Sequence, residues 1–220
     1  MSGIIFIAPP AAGKGTQSDM ICEKYGFIHI STGDLLRDAS KEENLEALYI
    51  EEQMESGELI DDSLMVDLLE KRLLRLNTRG FILDGFPRNL NQANIFDEMI
   101  EKININKLYV FHIDVPFEEC MRRTVGRMIC PNCKDVYNSL IENLKPKVSE
   151  ICDNCKIPLE KRADDNEETF KNRFDLYLEE TEPLISYYKQ KGKLYEIDGN
   201  KDKNEIFSQI DKILGSDIYD

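Results

Sequence analysis

The stretch from Ile4 to Gln17 constrains this chain more than any other. An apolar, β-branched run, Ile4-Ile5-Phe6-Ile7, breaks at Pro9-Pro10 and a set of small residues. A helix-compatible segment then runs from Lys14 to Tyr25, so the order is strand, tight loop, helix. Such a loop is a seat for phosphate. Its small residues let backbone N–H groups turn inward, the helix N-terminus adds partial positive charge, and a lysine at the loop's end reaches outer phosphates.

The spacing follows the Walker A pattern G-x-x-x-x-G-K, with Gly13 and Lys14 in place and Thr16 one residue beyond the usual hydroxyl. Two departures stand out. Ala8 occupies the place of the first glycine, and Ala11 a second place that is often glycine. Alanine disfavours positive φ, so a slightly strained loop is expected.

A length of 220 residues suits one domain with insertions. No apolar run reaches membrane-spanning length, and the first basic residue, Lys14, follows the apolar run instead of preceding it. That order is wrong for a secretory signal, and a soluble cytoplasmic protein is expected. A net charge of −14 disfavours wrapping nucleic-acid phosphates. The ten arginines all lie between Arg37 and Arg173, which points to an anion site built from the middle of the chain.

Further on, Phe27 to Ser31 reads as a second strand, and Ser31-Thr32-Gly33-Asp34 starts a helix that carries Arg37. Residues 41 to 60 read as a polar helical pair, Lys41 to Tyr49 and Ile50 to Ser56, stopped by Gly57. Ser63 to Leu76 has its leucines at amphipathic spacing. Gly80 to Asp84 is a buried strand ending in a carboxylate, placed to hold Mg²⁺ through water; a turn aspartate before glycine is the plainer alternative. Arg88 follows a Phe-Pro turn, with Gln92 one helical turn later on the same face. Lys107 to Val115 is a central strand, Phe117 to Val125 a helix carrying Arg123, and Arg127 follows one turn on. Leu194 to Asp198 is a fifth strand and Lys203 to Leu214 a closing helix. His29 and His112, both on strands, read as structural. Strands separated by helical stretches predict a parallel sheet covered on both faces, with ligands at the strands' carboxyl ends.

An insert carries Cys130-Pro131-Asn132-Cys133 and, after eighteen intervening residues, Cys152-Asp153-Asn154-Cys155. This spacing suits a closed tetrahedral zinc site with no catalytic water, a pair of disulfides being the alternative. Thiolate binding can contribute on the order of 10 kcal/mol to so small a lobe. Cys22 and Cys120 read as ordinary buried thiols. Arg162 at the return from the insert and Arg173 on the next helix are placed to swing charge toward a phosphate.

Taken together, Gly13-Lys14-Gly15-Thr16-Gln17, Ser31-Thr32-Gly33-Asp34-Leu35-Leu36-Arg37, Asp84-Gly85-Phe86-Pro87-Arg88, Gln92-Ala93, Val125-Gly126-Arg127, the four cysteines and Arg162-Ala163-Asp164-Asp165 resemble the adenylate kinases of the long-lid, zinc-containing bacterial type. The resemblance covers essentially the whole chain. It implies the α/β fold of P-loop nucleoside monophosphate kinases: a five-stranded parallel sheet with helices on both faces, a small helical NMP-binding insert and a zinc-containing lid. The implied boundaries are 1–30, 61–126 and 165–220 for the core, 31–60 for the insert and 127–164 for the lid.

What the resemblance further implies is reversible transfer of the ATP γ-phosphoryl to AMP, giving two ADP, with Mg²⁺, by a monomer and without a covalent intermediate. Lys14, Arg88, Arg123, Arg127, Arg162 and Arg173 take the catalytic places. ATP falls to Ala11, Ala12, Gly13, Lys14, Gly15, Thr16, Arg123, Arg127, Val136, Tyr137 and Lys201. AMP falls to Thr32, Arg37, Glu58, Leu59, Ile60, Gly85, Arg88, Gln92, Arg162 and Arg173. Asp84 takes the Mg²⁺ place. The alternatives are GTP as donor, a UMP or CMP kinase of the short-lid kind, and a module that holds nucleotide without turnover, which need not keep four arginines. A zinc-ribbon nucleic-acid binder would need a basic face, yet Lys134, Lys145 and Lys147 are balanced by Asp135, Glu142 and Glu150. Iron in place of zinc stays open.

Overall fold

The computed structural model describes residues 1–220 apart from 43, 57–59, 104, 163–164 and 219–220. The chain runs β1 (Ser2–Ile7), α1 (Lys14–Tyr25), β2 (Ile28–Ser31), α2 (Thr32–Ala39), α3 (Leu45–Ser56), α4 (Asp62–Leu74), β3 (Gly80–Asp84), α5 (Leu90–Lys102) and β4 (Lys107–Asp114). It continues with α6 (Phe117–Val125), β5 (Arg127–Ile129), β6 (Val136–Asn138), α7 (Glu167–Leu176), a π-helical turn (Tyr177–Thr181), α8 (Pro183–Gln190), β7 (Leu194–Asp198) and α9 (Lys203–Ile218).

Five strands pair in the order β2-β3-β1-β4-β7, every pair parallel, as the alternation of strands and helices predicts. Parallel strands are buried on both faces, so their side chains divide by register into two cores. Ile5, Ile7, Leu83 and Val110 face one side, against Leu69 of α4, Phe96 of α5 and Leu184 of α8. Ile4, Phe6, Ile82 and Phe111 face the other, against Ile21 of α1, Cys120 of α6, Phe170 of α7 and Ile210 of α9. The loops after β1 and β3 therefore open side by side at one edge. β5 and β6 form a separate antiparallel ribbon within the cysteine-bearing insert.

The polar pair expected at 41–49 and 50–56 is instead one helix, α3. Asn44 Oδ1 accepts the Ala47 N–H at 2.7 Å and so starts the helix after Lys41 and Glu42, while Ala47 and Ile50, 3 % and 0 % exposed, hold it down across the supposed break. α4 begins at Asp62 because the Asp61 carboxylate accepts from the backbone of Ser63 and Leu64. The closing helix runs four residues past Leu214, to Ile218. Among the described residues no helix is long and apolar enough to cross a membrane.

Gly80 opens β3 where the Phe27 ring crosses it: a Cβ there would lie 2.4 Å from Phe27 Cζ, whereas one at Gly15 meets nothing within 4 Å. Gly80→Ala is therefore expected to lower unfolding free energy by about 1–3 kcal/mol in urea titrations, and Gly15→Ala to leave it unchanged or higher.

Candidate active site

The loop after β1 settles where its alanines matter. Ala11 takes φ 60° and Gly13 φ 95°, so the expected strain falls on Ala11, at about 1–2 kcal/mol. Ala8 needs no left-handed backbone and is packed in the core, 6 % exposed. Gly13 caps α1 without a side chain, leaving the first-turn amides, including those of Gly15 and Thr16, to an incoming anion. Lys14 Nζ donates to the loop's own carbonyls, Ala8 O at 2.9 Å and Pro9 O at 3.0 Å. Burial brings its pKa down to about 8; Asp84 opposes the shift, and Arg173 and Arg88 add to it.

β3 delivers the opposing charge. Asp84 is half-buried, its Oδ2 lies 3.6 Å from His29 Nε2, and the imidazole, against the cost of burial and with help from Lys14, holds the carboxyl below its usual range. His29 is thus a neighbour of the site, which its sequence position does not reveal. It arrives through the β2–β3 pairing, where Ser31 stands opposite Asp84.

Gly85 turns the chain with φ 83°; a Cβ there would come within 2.8 Å of Thr32 Oγ1 and 3.3 Å of Arg88 Nη2. Arg88 Nε donates to Gly85 O at 2.9 Å, and Thr32, 5 % exposed, reaches Asp84 O at 3.4 Å. Asn89 caps α5 by accepting the Gln92 N–H at 2.8 Å. From the far wall the π-helical turn adds Tyr177 and Thr181, whose Oγ1 donates to Arg88 O at 2.8 Å. A π-helical turn inside a helix often marks a functional site.

These elements enclose a cleft of about 300 Å³ at the carboxyl ends of β1 and β3. Lys14, Asp84, Gly85, Arg88, Gln92 and Arg173 line it together. The remaining arginines do not. Arg123 is held by Glu119 Oε1 at 2.9 Å and Gly199 O at 3.1 Å. Arg127 forks onto both oxygens of Asp165, whose side chain is 1 % exposed. Arg162 is exposed in the irregular stretch that returns from the insert, and Arg37 lies on α2 with its guanidinium against Gly33. Val136 is 53 % exposed on the ribbon, and Lys201 sits near Asp198 beyond β7. Ile60 is half-buried just ahead of α4, while Glu58 and Leu59 lie outside the described residues.

The four cysteines of the insert bring their sulfurs within 4.8 Å of one another. All six cysteines are free thiols, so the disulfide alternative falls; Cys120 is fully buried but Cys22 only half. A tetrahedron of sulfurs at zinc-like bond lengths has an edge of about 3.8 Å, and Cys133 Sγ and Cys152 Sγ lie 3.6 Å apart, so the donor set fits one metal ion. Burial disfavours the Cys152 thiolate, but hydrogen bonds from the Cys155 backbone, Tyr137 hydroxyl and Asn154 backbone outweigh it and lower the thiol to about 6. Tyr137 turns its hydroxyl onto this sulfur at 3.6 Å.

A family model described as "Adenylate kinase" matches residues 6–193. Adenylate kinases of Thermotoga neapolitana and Archaeoglobus fulgidus are each 42 % identical, over 217 residues (98 % of this chain, 98 % of the relative) and 212 residues (96 % and 97 %). One from a Geobacillus species is 40 % identical over 213 residues (96 % and 98 %).

Lys14 gives a pH signature. Its ammonium has a pKa of about 8 in the folded chain against 10.5 ordinarily, so between those values the unfolded state binds more protons and this group's contribution to stability rises with pH. Unfolding curves of wild type and Lys14→Met, run at pH 7.5 and pH 10 without nucleotide, are expected to diverge in favour of wild type at the higher pH.

Proposed function

Because this chain belongs to the adenylate kinase family, we propose that the cleft holding Lys14, Asp84, Arg88 and Arg173 is where it moves the ATP γ-phosphoryl to AMP and back. The reaction is ATP + AMP to two ADP: the AMP phosphate oxygen attacks the γ-phosphorus, and the bond to the β–γ bridging oxygen breaks. Transfer of this kind needs charge neutralised and reactants held in line more than it needs an acid or base. The convergence of three cations on one strand-end carboxylate carries the reading.

Lys14 exchanges its two loop carbonyls for the donor's outer phosphates, while the bare N-terminus of α1 receives the inner ones. Arg88 and Gly85 seat the AMP phosphate, Thr32 and Arg37 flank it, and Gln92 with the backbone of 58–60 meets the adenine. Arg123, Arg127, Val136 and Lys201 serve the donor, and Arg162 with Arg173 closes on the phosphoryl in flight, a role worth roughly 10³–10⁵ in rate for such arginines. Asp84, ionised and half-buried, is suited to hold the Mg²⁺ that enters with ATP through its water shell, where the ion supplies further charge neutralisation.

Residues 31–60 and 127–164 act as two gates on a core of 1–30, 61–126 and 165–220, shutting out the water that would otherwise hydrolyse ATP. The four thiolates hold zinc, which keeps the second gate folded; reduced thiols suit a cytoplasmic setting. The enzyme works as a monomer.

Two measurements test this. A coupled assay over nucleoside mono- and triphosphates is expected to show ATP with AMP as the preferred pair, with turnover falling at least a thousandfold in Lys14→Ala; comparable use of UMP, or no loss in the variant, refutes the assignment. Stripping metal with a chelator is expected to raise amide exchange across 127–162 while the five-stranded sheet stays protected, and cobalt substitution to give thiolate charge-transfer absorption.

A further inference from the structure

Gln92 is 7 % exposed and lines the cleft. A glutamine amide is ambiguous in itself, because turning it over exchanges a donor for an acceptor with almost no change of shape. Two partners remove the ambiguity. The Arg88 backbone N–H can only donate, and it lies 2.7 Å from Gln92 Oε1. The Asp62 carboxylate can only accept, and its Oδ1 lies 2.7 Å from Gln92 Nε2. Asp62 is itself pinned: it stands in the first turn of α4, and its Oδ2 takes the Asn91 amide at 2.7 Å.

We propose that Asp62 is a positioning residue that sets base selectivity at the acceptor site by locking the Gln92 amide in one sense. With one N–H on Asp62 and one lone pair on Arg88, the amide keeps a second N–H and a second lone pair for the base. Adenine offers a 6-amino donor beside the N1 acceptor and so complements a locked amide. Hypoxanthine offers the reverse, a 6-oxo acceptor beside an N1–H donor, and meets donor with donor and acceptor with acceptor. An amide free to turn over would accommodate both. A neutral asparagine at 62 can itself turn over and follow the glutamine, so the carboxylate supplies, beside the Arg88 N–H, one of the two constraints that fix the sense, and its loss weakens the lock by the worth of one hydrogen bond. This inference rests on the reading of the cleft as the AMP site.

The test compares AMP with inosine monophosphate, which differs only in that edge, as acceptors for wild type, Asp62→Asn, Asp62→Ala and Gln92→Leu. The ratio of kcat/KM for the two acceptors cancels the active fraction, so a partly unfolded variant cannot imitate the effect. Expected in Asp62→Asn is a fall of about tenfold in the AMP preference, the scale of one hydrogen bond, with the KM for ATP within about twofold of wild type. An unchanged ratio in both Asp62 variants, or equal losses with both acceptors, while Gln92→Leu still raises the AMP KM, overturns the role of Asp62 and leaves the acceptor-site reading standing. An AMP KM unmoved in Gln92→Leu overturns both.

Discussion

The structure turns on like charges held close together in one cleft. Lys14, Arg88 and Arg173 line one cleft with the carboxylates of Asp84 and Glu180, and the shift that burial imposes on Lys14 is deepened by both arginines. In a medium less polar than water this crowding is unfavourable until an anion enters. A polyphosphate is the kind of anion that would relieve it. The loop carbonyls that hold Lys14 are neutral acceptors, weaker partners for an ammonium than phosphate oxygens are.

Such crowding is tolerable because the sheet beneath it is dry and rigid. Parallel pairing puts the ends of β1 and β3 side by side, so the loop that carries Lys14 and the strand end that carries Asp84 meet without any long side chain having to search. His29 reaches Asp84 through the next strand over. The cores on the two faces, centred on residues such as Leu69 and Phe111, hold the strands that hold the charges.

Much of this was legible in the sequence, for physical reasons. Continuous apolar strands ending in Pro-Pro, Asp-Gly or Asp-Val announce parallel pairing and strand-end sites, and paired C-x2-C spacing announces four converging sulfurs. What the sequence left obscure are contacts made across pairings. The Asp84–His29 and Asp62–Gln92 contacts join residues 55 and 30 positions apart and have no local pattern. No break separates Tyr49 from Ile50, because two buried residues, Ala47 and Ile50, suffice to seat one turn after another beneath an otherwise polar surface. The resting partners of Arg123 and Arg127 were equally hidden, since an arginine's sequence neighbours do not say which carboxylate it meets.

Those partners bear on how the proposed gates would work. Arg127 stands at the start of the cysteine-bearing segment and Asp165 just past its end, so their two-point contact joins the segment's exit to its return. A bidentate arginine–carboxylate pair is directional as well as strong, and it fixes the angle at which the ribbon leaves the core. At the far end of the same segment four sulfurs converge on one point, where a bound metal would keep the fold rigid. A stiff tip and a forked base would leave movement to the few residues beside the fork. A donor phosphate drawing Arg127 away from Asp165 would loosen that base, so ligand binding and closure would draw on the same contact. Coupling of this kind needs no pathway through the core: one guanidinium with two alternative anions is enough.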